Sequence, residues 1–371
     1  MAAEYAQACK AAGSRKLATV EAAYASGSSE LLLNGNRTVE LLNARLVDVE
    51  VAPLSVALSE RNPFSVLNLS YNELNAGAAE AIGQLIKTDT TIVALNLAEN
   101  ELGPEAASTL CAALKENKTI RELSLSGNKL GPHGGMEIAE MLQTNTSLKR
   151  LELANCELNT QCLVALATVL RENDTLAALD VSRPLAMTIM DEPGAHFARM
   201  LRFNSSLNQL DLSKSGLRDF GLRLLAEELY RAGPASGLQV LCMRCNKLQL
   251  VDDSCVGALA MLLQADTCRL QELALGSNEL RDDGALKLAE MVGGNRSLKV
   301  LDVTSNSLMS RGLCAMARAA KEQPLLESVT IWGNSFDSAA CLAWSPLINR
   351  LELDFSIQLD EAAEVYHCVR V

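Results

Sequence analysis

The chain has 371 residues, with 33 Lys and Arg against 45 Asp and Glu, a formal net charge of −12 and only 4% aromatic residues. That balance speaks against a role resting on phosphate contacts, because nucleic-acid affinity draws mainly on clustered Lys and Arg; protein partners are expected instead. No stretch approaches the roughly eighteen uncharged apolar residues of a membrane span, and the start carries Lys10, Arg15 and Lys16 without a continuous apolar core, so neither span nor signal peptide is read and an intracellular protein is expected.

Residues 1–35 are Ala-rich and broken by Gly27-Ser28-Ser29, which predicts one or two helices that cap the first repeat or dock elsewhere. Leu31-Leu32-Leu33 would cover the bare end of the repeat array, since a terminal repeat cannot leave its core face open. A template then recurs through residues 36–350. Its clearest copy reads Ile92-x-x-Leu95-x-Leu97-x-x-Asn100-x-Leu102-Gly103, then a helical stretch through Leu110 and Leu114, and Ile120 opens the next copy 28 residues on. Starts fall at Asn36, Phe64, Ile92, Ile120, Leu148, Leu176, Leu207, Leu238, Leu270, Leu298 and Leu326, eleven in all. Spacing widens in the middle to 31, 31 and 32 residues, between Leu176 and Leu270.

This pattern is the leucine-rich repeat of the class that follows each strand with a full helix, as in ribonuclease inhibitor. It implies an α/β fold: a right-handed horseshoe solenoid of about eleven strand-helix repeats, folding as one elongated unit. Parallel strands stack about 4.8 Å apart and packed helices about 8–10 Å apart, so the strands line the concave face. Most bends carry an Asn whose amide can satisfy stranded backbone groups; Ala44, Cys156, Pro184 and Ser215 stand in its place in four repeats. The ladder is therefore expected to break between Cys156 and Ser215, with Pro184 and Pro193 bracketing a non-repeat loop over 182–194.

On the concave face, between the inward leucines, stand Glu40, Asn68, Asn96, Ser124, Glu152, Asp180, Asp211, Cys242, Ala274, Asp302 and Thr330. Glu152, Asp180 and Asp211 form an acidic column, and Arg183, Lys214 and Arg244 a basic one beside it. Either the two neutralise each other or the stripe is a docking surface whose repulsion a partner relieves. Tyr71 and Trp332 are the aromatic contact candidates on the same face.

Catalytic chemistry finds little footing. No phosphate-cradling glycine motif occurs, and His133, His196 and His367 lie far apart in repeat register. Cys242-x-x-Cys245 has metal spacing but no matching second pair, so small-residue packing is the plainer reading and neither metal nor cofactor is assigned. The eleven scattered cysteines fit reduced thiols used as small apolar residues. The Asn-x-Ser/Thr triplets at Asn36, Asn68, Asn117, Asn145, Asn173, Asn204 and Asn295 arise from the repeat and are read as unglycosylated.

The C-terminus is more particular. Thr330-Ile331-Trp332-Gly333-Asn334-Ser335-Phe336-Asp337 precedes a helix, and residues 351–371 alternate apolar and polar residues around a turn, as a β-hairpin cap does. This ending, the Arg183-Pro184-Leu185 segment and Gly134-Gly135-Met136 before a helix resemble the leucine-rich repeat-containing protein 34 family, from about Leu31 to the end. The resemblance implies a non-enzymatic scaffold of the radial spoke protein 15 type in the axoneme of motile cilia, a monomer gripping spoke-stalk subunits within a larger complex. A cytoplasmic or nucleolar location is the alternative. The rival function is regulation of a soluble enzyme or small GTPase, in the manner of the Ran GTPase-activating protein or ribonuclease inhibitor, although the chain lacks the acidic tail of the former. An actin-capping module like the tropomodulin repeat domain would need actin-binding segments before the array.

Overall fold

The computed structural model describes residues 2–60, 62–185, 191–360 and 365–371. Its contacts divide into two compact units, residues 1–185 and 186–371, each described by itself.

The first unit runs α1 (Ala2–Ala12), α2 (Ala18–Ser26), β1 (Glu30–Leu32), α3 (Asp48–Glu60), β2 (Val66–Asn68), α4 (Ala76–Thr88), β3 (Ala94–Asn96), α5 (Pro104–Glu116), β4 (Glu122–Ser124), α6 (Gly131–Thr144), β5 (Arg150–Glu152), α7 (Thr160–Leu170) and β6 (Ala178–Asp180). The second runs α8 (Asp191–Phe203), β7 (Gln209–Asp211), α9 (Arg218–Ala232), β8 (Val240–Cys242), α10 (Asp253–Leu263), β9 (Glu272–Ala274), α11 (Arg281–Gly293), β10 (Val300–Asp302), α12 (Ser310–Glu322), β11 (Ser328–Thr330), α13 (Ser338–Trp344) and β12 (Glu352–Leu353), then the antiparallel pair β13 (Phe355–Asp360) and β14 (Val365–Arg370). Each unit is an α/β leucine-rich repeat solenoid of parallel strands backed by helices.

Strand register follows from the leucines. Leu31, Leu67, Leu95, Leu123, Leu151 and Leu179 lie side by side in the first unit. Leu210, Leu241, Leu273, Leu301, Val329 and Leu353 do so in the second. Nearly all are sealed from solvent, at about 1.5–3 kcal/mol of transfer free energy per buried side chain. A shift of one residue would turn that whole row outward, so the register is strongly specified.

Two asparagine ladders complete the polar accounting. At the bends, the Nδ2 groups of Asn72, Asn100 and Asn128 donate to the Leu33, Leu69 and Leu97 carbonyls of the preceding repeat, at 2.8, 3.0 and 2.9 Å. Their Oδ1 atoms accept from the N–H groups of Leu46, Leu74 and Leu102. After the helices, Asn117 and Asn145 do the same with the Ile86 and Leu114 carbonyls, both at 2.7 Å, and cap the turn into the next strand. The bend ladder does not stop at Cys156: its thiol donates to the Leu125 carbonyl at 3.2 Å. Burial pushes that thiol up to about 12, which keeps it a protonated donor.

Three expectations are corrected. Leu31–Leu33 is no end cover: Glu30–Leu32 is the first strand, paired in register with Val66–Asn68. Leu31 precedes Leu67 by 36 residues rather than 28, the extra length being taken up by a short 3-10 turn at Val39–Leu41. Counting back 28 residues therefore misplaced the first repeat: Asn36 falls at the bend position, Glu40 lies off the sheet and Ala44 is no bend residue. The apolar cover comes instead from Tyr5 and Cys9 of α1, Val20 of α2 and Leu17 just before it, all buried. Glu40 holds that cap in place, its carboxylate accepting from the N–H groups of Ala18 and Thr19 at 3.0 and 3.1 Å. Finally, Pro193 does not close a loop. It sits in the first turn of α8, where a missing N–H costs nothing because those amides have no intrahelical partner. Residues 186–190 of that expected loop lie outside the described residues.

A polar strand face and its bends as candidate interaction surface

The first and third residues of each strand flank a buried leucine and stand on the face that the helices leave open. In the first unit the third positions run Leu32, Asn68, Asn96, Ser124, Glu152 and Asp180 in register. In the second they run Asp211, Cys242, Ala274, Asp302 and Thr330. Glu152 and Asp180 are thus direct neighbours, about 5 Å apart, while Asp211 opens the second unit's row beside Cys242.

These acids are partly committed to the chain itself. Oδ1 of Asp180, Asp211 and Asp302 accepts the N–H two residues on, from Ser182, Ser213 and Thr304, at 2.8, 2.7 and 2.9 Å. Asn68 and Asn96 use Oδ1 in the same way, toward Ser70 and Ala98 at 3.0 and 2.9 Å. Each of these side chains makes a local turn of the kind that favours Asx residues.

Past the strand the backbone turns left-handed at one repeat position. Tyr71, Glu99, Asn155 and Arg183 have φ of 60°, 54°, 56° and 56° in the first unit, with Gly127 at 75° in the same place. Lys214, Cys245, Ser277 and Ser305 have φ of 55°, 56°, 56° and 50° in the second, with Gly333 at 79°. Tyr71, Arg183 and Lys214 are therefore bend residues and all are exposed. Gly35 lies where a Cβ would fall 1.9 Å from the Tyr71 carbonyl oxygen, so no other residue lets the first two bends close.

The expected pairing between Arg244 and the acidic column does not form. The Nε of Arg244 donates to Oδ2 of Asp302, passing over the intervening repeat. Ala274 leaves that path open, and Gly276 packs against it: a Cβ there would fall 2.5 Å from Oγ1 of Thr304 and 2.6 Å from Oδ2 of Asp302. Burial opposes the Arg244 charge, but the bond and the Asp302 carboxylate outweigh it and raise its pKa above the ordinary guanidinium value. Sequence reasoning missed this contact because it skips a repeat; the pair of small residues at Ala274 and Gly276 was the available signal. Trp332 is half-buried, its N–H donating to Oδ2 of Asp354 at 3.0 Å and its carbonyl accepting from Ser305.

Among the hollows in the described surface, two bear on the strand face and the helix layer. One, of about 220 Å³, lies on the open strand face of the first unit, lined by Val66, Asn68, Ala94, Asn96, Glu122, Ser124, Arg150 and Glu152 among others. The other, of about 420 Å³, lies between α9 and α10, with Tyr230 and Met261 on its walls and Gly257 and Ala258 at its floor. Cys242 and Cys245 are both partly exposed. Among the described residues no group of three or more His, Cys, Asp or Glu is gathered as a metal would need.

Against known proteins, the Leucine Rich repeat model matches residues 88–111, 116–139, 268–289 and 294–317. The chain is 36% identical over 170 residues to leucine-rich repeat-containing protein 34 of Mus musculus, covering 46% of this chain and 40% of that protein. The Homo sapiens protein of the same name is 33% identical over 171 residues, covering 46% of this chain and 36% of the relative. Ribonuclease inhibitor of Mus musculus is 29% identical over 147 residues, covering 33% of this chain and 32% of that protein. The chain thus spans well under half the length of these relatives. Repeat pattern and fold together make the chain a leucine-rich repeat solenoid, similar over 46% of its length to leucine-rich repeat-containing protein 34.

Proposed function

We propose that the chain is a non-enzymatic protein-interaction scaffold that serves as a structural subunit of a radial spoke in the axoneme of motile cilia. Repeat arrays use their extended strand face to hold other proteins. The single observation carrying the scaffold reading is that face: its side chains are tied down by local turns and by the Arg244–Asp302 bridge, a pre-set polar surface rather than a catalytic grouping. The axonemal part rests on the resemblance over Ile331–Asp337 and the hairpin tail. The partners are spoke-stalk subunits.

Fractionation of isolated motile cilia tests it. The protein is expected to stay with detergent-extracted axonemes and to be lost with radial spoke proteins in a spoke-deficient mutant. A soluble protein indifferent to the spokes would overturn the axonemal reading. Regulation of a soluble enzyme, which the similarity to ribonuclease inhibitor favours, would then take its place.

A further inference from the structure

The hollow on the strand face of the first unit combines three features. Its floor includes the small apolar side chains of Val66 and Ala94. Above the floor, Asn68 and Asn96 are register neighbours, and both turn Oδ1 back to their own bends. That fixes the amide orientation and leaves the two Nδ2 donors, one strand spacing apart, without an acceptor among the described residues. On the far side, Glu122 and Glu152 face the hollow with Arg150 beside Glu122 in register; Arg150 has a partner of its own, and neither glutamate forms an ion pair among the described residues.

Oriented donors want acceptors, unpaired carboxylates want cations, and a shallow apolar floor admits a main chain without bulky side chains. We infer that the hollow ringed by Asn68, Asn96, Glu122 and Glu152 is a docking site for an extended, lysine- or arginine-bearing segment of a partner protein. The two amides donate to its backbone carbonyls while the carboxylates hold its basic side chain. This rests on the scaffold reading above and names the chemistry of one partner.

The test uses the full chain and a fluorescein-labelled peptide of alternating lysine and serine, followed by fluorescence anisotropy. Glu122→Gln with Glu152→Gln should weaken binding roughly three- to tenfold, as two exposed ion pairs would. Glu137→Gln with Glu140→Gln, on α6, should change it less than twofold. Asn68→Asp with Asn96→Asp keeps the acceptor that each bend uses but removes both donors and adds two negative charges. If only charge attracted the peptide, that variant would bind more tightly; amide donation requires it to bind more weakly. Equal weakening by the α6 variant, or tighter or unchanged binding by the double Asp variant, overturns the inference. Axonemal fractionation of the Gln variant separates the two readings. Retention on the axoneme together with unchanged peptide binding overturns the docking site and leaves the scaffold standing, whereas a wild-type chain absent from the axoneme refutes only the axonemal reading.

Discussion

Arg244 and Asp302, 58 residues apart in sequence, are joined across a repeat that contributes only Ala274 and Gly276 to the path between them. The Asp302 side chain is 5% exposed and that of Arg244 49%. Arg244→Ala would leave a nearly buried carboxylate with only its Thr304 partners, at a cost of about 1–2 kcal/mol. Arg183→Ala and Lys214→Ala, at exposed bends, should stay within about 0.5 kcal/mol. Urea unfolding of the three variants checks the ranking; equal effects would contradict it.

Left-handed bends give a second prediction. A non-glycine residue there costs roughly 1–2 kcal/mol, most for β-branched side chains. Lys214, at φ 55°, is exposed. Lys214→Gly should therefore be neutral or stabilising by up to about 1 kcal/mol, and Lys214→Val destabilising by a similar amount. Thermal unfolding midpoints that reverse this order would refute the reading.

Glu40 gives a third. Burial resists its charge, but bonds from Thr19 and Ala18 outweigh it and hold the carboxyl below the usual value of 4.5. A depressed folded pKa means stability that is present above the unfolded value and lost as pH falls through the folded one. The first two helices should accordingly loosen before the repeats below about pH 4.5. Glu40→Ala should produce the same loosening at neutral pH, at about 1 kcal/mol. Hydrogen exchange in α2 reads both.

The thiols give a fourth, of opposite sign. Burial pushes Cys111, Cys156 and Cys255 from 9.0 to about 12. Between those values the native chain keeps protons that the unfolded chain releases, so stability is full below pH 9 and declines as pH rises. At pH 8 these three should resist Ellman's reagent until the protein unfolds. Prompt labelling of Cys156 in the native state would contradict its place in the bend ladder.

Asn145 gives a fifth. It is 2% exposed and its amide joins the Leu114 carbonyl to the N–H groups of Ser147 and Leu148. Asn145→Ala should cost about 2–3 kcal/mol through unsatisfied backbone groups. Microsomal translation should leave the folded chain unmodified at this triplet.

The repeating leucines made strand, helix and register legible because burial acts on each repeat in the same way. Where the chain departs from its period, sequence reasoning failed for a physical reason: the 36-residue first repeat holds an extra 3-10 turn at Val39–Leu41, whose Leu41 is buried outside the 28-residue register. The open face was legible as a set of positions, including Glu152, Asp180, Asp211, Tyr71 and Trp332, but not as contacts. Arg244 was placed in a basic column beside the acidic one because adjacency was assumed, and Asn68 and Asn96 were legible only as positions because the direction of an amide is set by a bend invisible in a list of residues.

The bend asparagines also give the array a direction in time. Asn72, Asn100 and Asn128 each reach back to the repeat made before them, and their oxygens accept N–H groups that the earlier repeat could not satisfy alone. A ribosome releasing the chain N-terminus first thus presents every new asparagine with acceptors already in place. Each nascent repeat remains incomplete until the next emerges, so synthesis and folding advance in the same order and by the same step.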